Sequence, residues 1–216
     1  MTALGGLTTI YNFCAQNGCA DGFRPMSGLV LGTNGNFYGT TSAGGNYGDG
    51  TVFKITSEGV LTTLHTFHGA DGRAPVAALT EATDESFYGT TTLGGDLTCN
   101  APYGGCGTVF QITPQGGFST LHMFHGTDGS EPYAGLAQGT DGNLYGTTTM
   151  GGANYGTVFR VTGKGAVTPC TPLSSLTEPI LTAGCFRLRM GSFTGQLTWA
   201  EVFRASYWMG VVRSTA

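Results

Sequence analysis

The chain has 216 residues, of which 40% are hydrophobic, 10% are charged and 38 are Gly. This length and apolar content suit one folded domain with a sizeable core, and they argue against a disordered chain. The formal net charge is −4, and the nine scattered Lys and Arg residues form no basic stripe of the kind that binds nucleic acid.

Five elements recur in a fixed order along the first 165 residues: an L-T-T phrase, a D-G-x-x-P turn, a Y-G-T-T phrase, a Gly-Gly loop and a G-T-V-F phrase. A period of about 50 residues is typical of repeat architectures, so we predict three units, at about 1–57, 58–115 and 116–165. The L-T-T phrase lies at 7–13, 61–67 and 118–124, and the D-G-x-x-P turn lies at 21–25, 71–75 and 128–132. The Y-G-T-T phrase lies at 35–41, 85–91 and 142–148, and the G-T-V-F phrase lies at 50–56, 107–113 and 156–162.

Apolar and polar residues alternate within these phrases, which are rich in Thr, Val, Phe and Tyr and are bounded by Gly, Asp, Asn and Pro. The pattern predicts short strands and tight turns with almost no helix. In the first G-T-V-F phrase, Phe53 and Ile55 share one face, while Val52 and Lys54 share the other, which meets water or a neighbour. Four short strands in each unit are typical of a propeller blade, and a β-sandwich is the second choice. We therefore predict an all-β fold, a propeller that is partial or four-bladed.

These phrases together resemble the tandem GloVer repeat of bacterial exported proteins, whose units carry a G-x-L-Y-G-T-T phrase and a G-T-V-F phrase. The match is specific through residue 165. The middle copy departs from it where Glu85 and Ser86 replace a Gly-Asn turn, and we expect a looser turn there. The resemblance implies a repeat scaffold, generally outside the cytoplasm and sometimes joined to an anchor. It implies no settled activity.

Two pairs of Cys residues bracket loops that are longer than their counterparts in other units. Cys14 and Cys19 flank extra residues in the first copy, and Cys99 and Cys106 flank an insertion in the second. We predict two loop disulfides and an extracellular or periplasmic location, with free cytosolic thiols as the alternative. The first ten residues do not read as a signal peptide, so an exported protein would be represented here by its mature or truncated form. No apolar run is long enough for a membrane helix.

The repeat pattern stops after residue 165, where a further L-T-T phrase is due, and only four of the 38 Gly residues lie beyond it. Segment 166–216 contains both Trp residues and the last two Cys residues. It is either a divergent cap or a frame-shifted segment that replaced a fourth unit. Because three blades rarely close a propeller, open strand edges are expected to favour self-association.

Candidate site residues recur with the repeat. His65 and His68 match His122 and His125 in the next unit, and we expect mainly packing or surface roles for them, with His68 and His125 as the candidates for a general base. Asp21, Asp71 and Asp128 occupy the same D-G-x-x-P turn in successive units. A circular arrangement would bring these carboxylates to one rim, where oxygen ligands suit Ca²⁺. The simpler explanation is that Asp-Gly favours turns.

Two classes of function follow. The first is a calcium-assisted hydrolase that opens lactones or esters, such as acyl-homoserine lactones, with Asp71 and Asp128 on the metal and His68 or His125 accepting a proton. A variant is a glycoside hydrolase that pairs Asp71 with Asp128 or Glu131. The second class is a binding module that presents Tyr47, Tyr103 and Tyr155 to glycans or to another protein. The expected partner is therefore a small-molecule substrate or a glycan.

Overall fold

The structure, a computed structural model, describes residues 5–99, 104–152, 155–162 and 167–170. The chain divides into two units, Met1–Cys185 and Phe186–Ala216, and every described residue belongs to the first. Within the described ranges, no helix has the length and apolar character needed to cross a membrane.

In the described residues, twelve strands form three separate antiparallel sheets, each with four strands in chain order. The first sheet contains β1 (Val30–Leu31), β2 (Phe37–Thr41), β3 (Thr51–Ile55) and β4 (Leu61–Thr66). The second contains β5 (Thr80–Glu81), β6 (Phe87–Thr91), β7 (Thr108–Ile112) and β8 (Phe118–Met123). The third contains β9 (Ala137–Gln138), β10 (Leu144–Thr148), β11 (Thr157–Val161) and β12 (Val167–Cys170). The predicted all-β class is confirmed, and three open sheets are consistent with a partial propeller.

The sheets begin at a different point of the repeat from the predicted units. The L-T-T phrase does not begin a sheet; it supplies the outer strand of the preceding one, so that β4 pairs with β3 and β8 pairs with β7. Each sheet therefore begins after a D-G-x-x-P turn. Strand β12 takes the same outer position in the third sheet, although residues 167–170 fall in the segment that we separated as a tail. Residues 171–216, including Trp199, Trp208 and Cys185, lie outside the described residues.

The core lies between neighbouring sheets. Tyr38, Val52 and Phe67 from the first sheet and its following loop pack with Leu79 and Phe87 of the second. The rings of Tyr38 and Phe87 stack with their centroids 3.9 Å apart. A matching cluster joins the second sheet to the third, with members Tyr88, Val109, Phe124, Leu136, Leu144 and Phe159. The face of β3 that carries Val52 and Lys54 therefore meets a neighbouring sheet.

The Y-G-T-T phrase is explained by this packing. Its Tyr enters the cluster between sheets, and its Gly makes room for the Phe of G-T-V-F: a Cβ on Gly39 would lie 2.7 Å from Phe53 Cζ. Its last Thr hydrogen-bonds to the Thr of G-T-V-F, since the Oγ1 atoms of Thr41 and Thr51 are 2.8 Å apart. The same 2.8 Å separation recurs in the other two sheets.

The middle Y-G-T-T turn is not looser than the others. Glu85 adopts φ 62°, close to the φ 81° of Gly35 at the equivalent place. The Ser86 N–H donates to Asp84 Oδ1 over 3.1 Å, as the Asn36 N–H donates to Asn34 Oδ1. The Asp that opens the turn holds the geometry, so Glu85 keeps a left-handed conformation that Gly would adopt without steric cost.

Both predicted disulfides, Cys14–Cys19 and Cys99–Cys106, are formed. The first closes a short 3-10 turn, Asn17–Cys19, and the second anchors the loop before β7. Cys106 is buried at the edge of the cluster between the second and third sheets. Each bond thus closes a lengthened loop.

Candidate functional site

The second and third D-G-x-x-P turns lie between the outer strand of one sheet and the body of the next. The carbonyl oxygen of Asp71 accepts a hydrogen bond from Thr108 Oγ1 of β7, over 3.2 Å. Gly72 has φ 138°, and a Cβ there would lie 2.6 Å from Thr91 Cγ2, so only Gly allows this approach. Pro75 packs against Gly50 at the start of β3, where a Cβ would lie 2.8 Å from the Pro Cδ atom.

The first turn cluster consists of His65, His68 and Asp71. Because a carboxylate only accepts hydrogen bonds, His65 Nε2 donates to Asp71 Oδ2 over 2.8 Å. The backbone N–H of His68 donates to Asp71 Oδ1 over 3.0 Å, and His68 Nε2 lies 3.2 Å from Oδ2. One carboxylate therefore bridges two imidazoles. The side chain of His65 is 17% exposed and that of His68 is 48% exposed, so solvent reaches mainly the second ring.

The carboxylate of Asp71 is held in its charged form. Burial raises its pKa, but the hydrogen bonds from the His65 ring and from the His68 N–H, with the charges of both rings, outweigh burial and bring the pKa below its ordinary value. A carboxylate that stays ionised next to an imidazole stabilises the protonated form of that ring. The first turn cluster thus places a solvent-facing imidazole, that of His68, beside a fixed negative charge.

Further groups surround the first turn cluster. The ring of Tyr47 meets that of His68 edge to face at 5.8 Å, and Asp49 forms an ion pair with Arg73, with 3.1 Å between Oδ1 and Nε. Tyr47 is 66% exposed. The cluster therefore lies beneath a surface that presents an aromatic ring, an imidazole and a paired guanidinium.

The second turn cluster consists of His122, His125 and Asp128. His122 Nε2 donates to Asp128 Oδ2 over 2.7 Å, and the His125 N–H donates to Oδ1 over 2.8 Å. The His125 ring is farther away, because its Nδ1 is 4.0 Å from Asp128 Oδ2 while its Nε2 is 3.8 Å from Asp96 Oδ2. This ring stands between two carboxylates without the close contact that His68 has.

The first copy has the same turn without histidine. The Tyr11 hydroxyl donates to Asp21 Oδ2 over 2.7 Å, and the backbone N–H groups of Ala15 and Gln16 also donate to this carboxylate. Burial raises the pKa of Asp21, but these hydrogen bonds outweigh burial and lower it, while burial and the contact with Asp21 raise the pKa of Tyr11 to about 12. The position of His68 is taken by Cys14, which is in a disulfide.

The structure places Asp21, Asp71 and Asp128 in three separate turns, each hydrogen-bonded within its own copy of the repeat. Among the residues that the structure describes, no group of three or more His, Cys, Asp or Glu side chains is arranged to hold a metal ion. The calcium site predicted for these carboxylates stays a prediction, and no chemical step of the proposed reaction depends on it.

The sequence predicts His68, His125 and the three Asp residues as site residues, whereas packing or surface roles are expected for His65 and His122. Both lie on a strand, six residues before the Asp to which they bind. The signal in the sequence was the recurrence of H-x-x-H-x-x-D in two units. Of the three predicted exposed aromatics, Tyr47 and Tyr155 are exposed, by 66% and 93%, and Tyr103 lies outside the described residues.

The family is decided by the repeat itself. A model of the Gloeobacter/Verrucomicrobia repeat matches residues 1–198. The chain belongs to that repeat family. The resemblance drawn from the Y-G-T-T and G-T-V-F phrases is thereby confirmed, and the match extends past residue 165.

No curated protein matches this Gloeobacter/Verrucomicrobia repeat protein. Among solved structures, it is similar to a protein assigned as a gluconolactonase (20% identity, TM-score 0.46, 67% of this chain and 48% of the other). It is also similar to a gluconolactonase from Xanthomonas campestris (18%, 0.44, 65% and 45%) and to a protein assigned as a glucose dehydrogenase from Thermus thermophilus (18%, 0.44, 72% and 49%). The chain spans about half the length of these structures.

Proposed function

We propose that this repeat protein is a hydrolase that opens lactones or esters, with His68 as the general base and Asp71 as its partner. The single observation that supports the proposal is the bridging carboxylate of Asp71, which binds His65, the His68 N–H and, at 3.2 Å, the His68 ring. A packing role alone would require only the contact between Asp71 and His65. The His68 ring adds an exposed imidazole beside a fixed negative charge.

The proposed reaction uses water as the nucleophile. A water oxygen attacks the ester or lactone carbonyl while the imidazole of His68 accepts the water proton. The C–O bond to the alcohol then breaks, and the imidazolium returns the proton to the leaving oxygen, giving a hydroxy acid from a lactone. Asp71 stabilises the charged imidazole between these two steps. Acyl-homoserine and sugar lactones are the substrates that we propose to test first.

The second turn cluster offers a weaker site of the same kind. His125 is 58% exposed, but its ring nitrogens lie 3.8 and 4.0 Å from the nearest carboxylate oxygens. Without a hydrogen bond to orient it, His125 is expected to contribute less than His68 does. A single substitution of His68 should therefore remove most of the activity.

The test is a hydrolysis assay of the purified chain on a panel of lactones, esters and aryl glycosides. Replacing the base removes about 100-fold or more of the rate in general base catalysis, so H68Q should lose at least that much. D71N should also lose activity. D21N is the matched control, because it makes the same change in the equivalent turn where no free histidine is present, and its rate should stay unchanged.

Two outcomes would contradict the proposal. One is the absence of turnover on every substrate of the panel, and the other is equal loss of rate in D21N and D71N, which would indicate damage to the scaffold. The panel is run with and without a chelator, and calcium binding is measured directly by titration calorimetry. Loss of turnover in chelator, restored by Ca²⁺, would support a calcium role for Asp71 and Asp128.

A second candidate function is recognition of glycans without catalysis. The observation that favours it is the exposure of Tyr47 and Tyr155 in equivalent loops before the G-T-V-F strands. Exposed aromatic faces bind the apolar faces of sugar rings, and repeat arrays often present such residues at regular intervals. Saturable binding on a glycan array that Y47A weakens, in the absence of turnover, would favour this function.

We also propose that the protein works outside the cytoplasm, in the periplasm or beyond the cell. The two disulfides support this location, because such bonds persist in oxidising compartments. Fractionation of cells that express the native gene, followed by thiol labelling of the isolated protein, tests the location. Recovery of the protein in the cytoplasm with reduced cysteines would contradict it.

A further inference from the structure

Among the residues that the structure describes, two faces of the repeat array lack the neighbour that the equivalent faces have. Val52 and Val109 are fully buried beneath the following sheet, whereas Val158 at the same place in β11 is 45% exposed. Thr40 and Thr90 are likewise buried, and Thr147 at the same place in β10 is exposed. The third sheet thus carries, uncovered, the face that the first and second sheets use to bind the next sheet. We call it the trailing face.

The first sheet carries the complementary uncovered face. Leu79 and Leu136 are buried against the preceding sheet, with 3% and 6% exposure, whereas Leu29 at the same place before β1 is 52% exposed. Pro75 and Pro132 are buried too, and Pro25 is exposed. In the described part of the chain no sheet precedes this surface, which we call the leading face.

The leading face has the same backbone conformation as the equivalent faces of the second and third sheets, which pack against a preceding sheet. Arg24 has φ 58°, close to the φ 54° of Ala74 and 56° of Glu131, a conformation that is rare for residues other than Gly. In the occupied copies this geometry directs an N–H to the preceding sheet, and the N–H groups of Ala74 and Glu131 donate to Asp49 O and Cys106 O over 2.9 Å. The Arg24 N–H has no backbone partner among the described residues.

The segment before the leading face supports the same interpretation. Phe13 packs on Phe53 at 5.0 Å, as Phe67 packs on Phe110 at 5.3 Å and Phe124 on Phe159 at 5.1 Å. The L-T-T phrase of the first copy therefore ends in the place of an outer strand. Residues 7–12 form no ladder in the described structure, although 61–66 and 118–123 do.

We infer that the trailing face of one chain binds the leading face of a second copy of this chain, and that two copies close a ring of six sheets. Both faces are members of one repeating interface, so each has the shape and hydrogen-bonding groups of the other's partner. By equivalence, Val158 packs against Leu29 of the second copy, as Val52 packs with Leu79 and Val109 with Leu136.

The remaining contacts of the interface follow from the same equivalence. Thr40 Oγ1 donates to Ala77 O and Thr90 Oγ1 donates to Ala134 O, which predicts a bond from Thr147 Oγ1 to Ser27 O across the new interface. A contact between two different faces either closes into a ring or continues into a fibre. Propellers close with about four to eight sheets, and six lies within that range.

The test is the mass of the purified chain by sedimentation velocity over a range of concentrations. The wild type should sediment with twice the 22.3-kDa mass of the chain. V158K and L29D should each sediment as monomers, since either one places a charge in the apolar centre of both interfaces of the ring. The double variant V158K/L29D should restore the dimer, because it pairs opposite charges there.

L97D is the matched control. Leu97 is 55% exposed, close to the value for Leu29, and lies in a loop of the second sheet away from both faces, so this variant should keep the dimer. A monomeric wild type would overturn the inference, as would a ladder of species that grows with concentration. Dissociation of L97D, or failure of the double variant to recover the dimer, would overturn it as well. These readouts do not depend on catalysis.

Discussion

His65 stacks face to face on Phe118, with ring centroids 3.6 Å apart and an angle of 3° between the rings, although the two residues belong to different sheets. The Nε2 atom of the same imidazole binds Asp71. His65 therefore joins the outer strand of the first sheet both to the second sheet and to the turn that leads into it. A half-buried histidine that makes two such contacts is expected to stabilise the array.

Replacing His65 should cost more stability than replacing its exposed neighbour. H65A removes an aromatic stack and a hydrogen bond to a charged group, and we expect about 2 kcal/mol less free energy of unfolding. H68A, at a ring that is 48% exposed, should change it by less than about 0.5 kcal/mol. Urea unfolding followed by circular dichroism measures both. Equal losses in the two variants would contradict the assigned roles.

The strands and their order within each repeat could be predicted from the sequence, but the start of each sheet could not. A period is unchanged when every unit is shifted by one strand, so the recurrence of 7–13, 61–67 and 118–124 does not show to which sheet these phrases belong. The ladder decides it, because β4 pairs with β3 within one sheet. Alternation likewise predicts two faces for each G-T-V-F strand, but not that neighbouring sheets cover both. In β7, Phe110 belongs to the cluster with the first sheet and Val109 to the cluster with the third.

The candidate site was only partly predictable for a similar reason. Two histidines three apart on a strand face opposite ways, a pattern that disfavours a metal site shared by His65 and His68. In the structure His68 lies beyond the end of β4, in the turn, where it is free to approach the same carboxylate as His65. Local sequence patterns leave the end of a strand uncertain by one or two residues.

The stability of the protein should fall on acidification through loss of the Asp71 carboxylate. Its pKa is lower in the folded chain than in the unfolded chain, so its contribution is present above the unfolded value of about 4 and is lost as the pH falls through the folded value. Urea midpoints measured below pH 5 should decline steeply for the wild type and less steeply for D71N. Parallel pH curves for the two proteins would contradict this assignment.

The stability of the protein at alkaline pH should depend on Tyr88. Its hydroxyl donates to Asp84 Oδ2 over 2.8 Å, and burial, with this hydrogen bond and the charge of Asp84, raises its pKa to about 12. The folded pKa is raised, so the contribution of Tyr88 is complete below the unfolded value of about 10 and is lost as the pH rises toward the folded one. Between these two pKa values, the free energy of unfolding of Y88F should therefore change less with pH than that of the wild type. In an alkaline titration followed by tyrosinate absorbance, Y88F should also lack one of the phenols that titrate late in the wild type.

The Gly of the Y-G-T-T phrase should be sensitive to a single methyl group, whereas a Gly that has room for a Cβ within its own chain should not. A Cβ on Gly89 would lie 2.8 Å from Leu79 Cδ2 and would also contact Phe110, both of which are buried in the cluster between sheets. Gly28 has no atom within 4 Å of the equivalent point, and the next copy carries Ala78 at its place. Crowding a packed core by one methyl group costs about 1–3 kcal/mol, which we expect for G89A.

G28A provides the control for that expectation. Since the folded backbone at Gly28 lies outside the left-handed region, Ala restricts the unfolded chain without strain in the folded one, and the variant should gain about 0.4–1 kcal/mol. Thermal and urea unfolding of the two variants give opposite signs if packing around Phe110 specifies the Gly at residue 89. Destabilisation of similar size in both variants would show instead that the Gly residues serve the backbone alone, and the close approach of neighbouring sheets would then not explain the phrase.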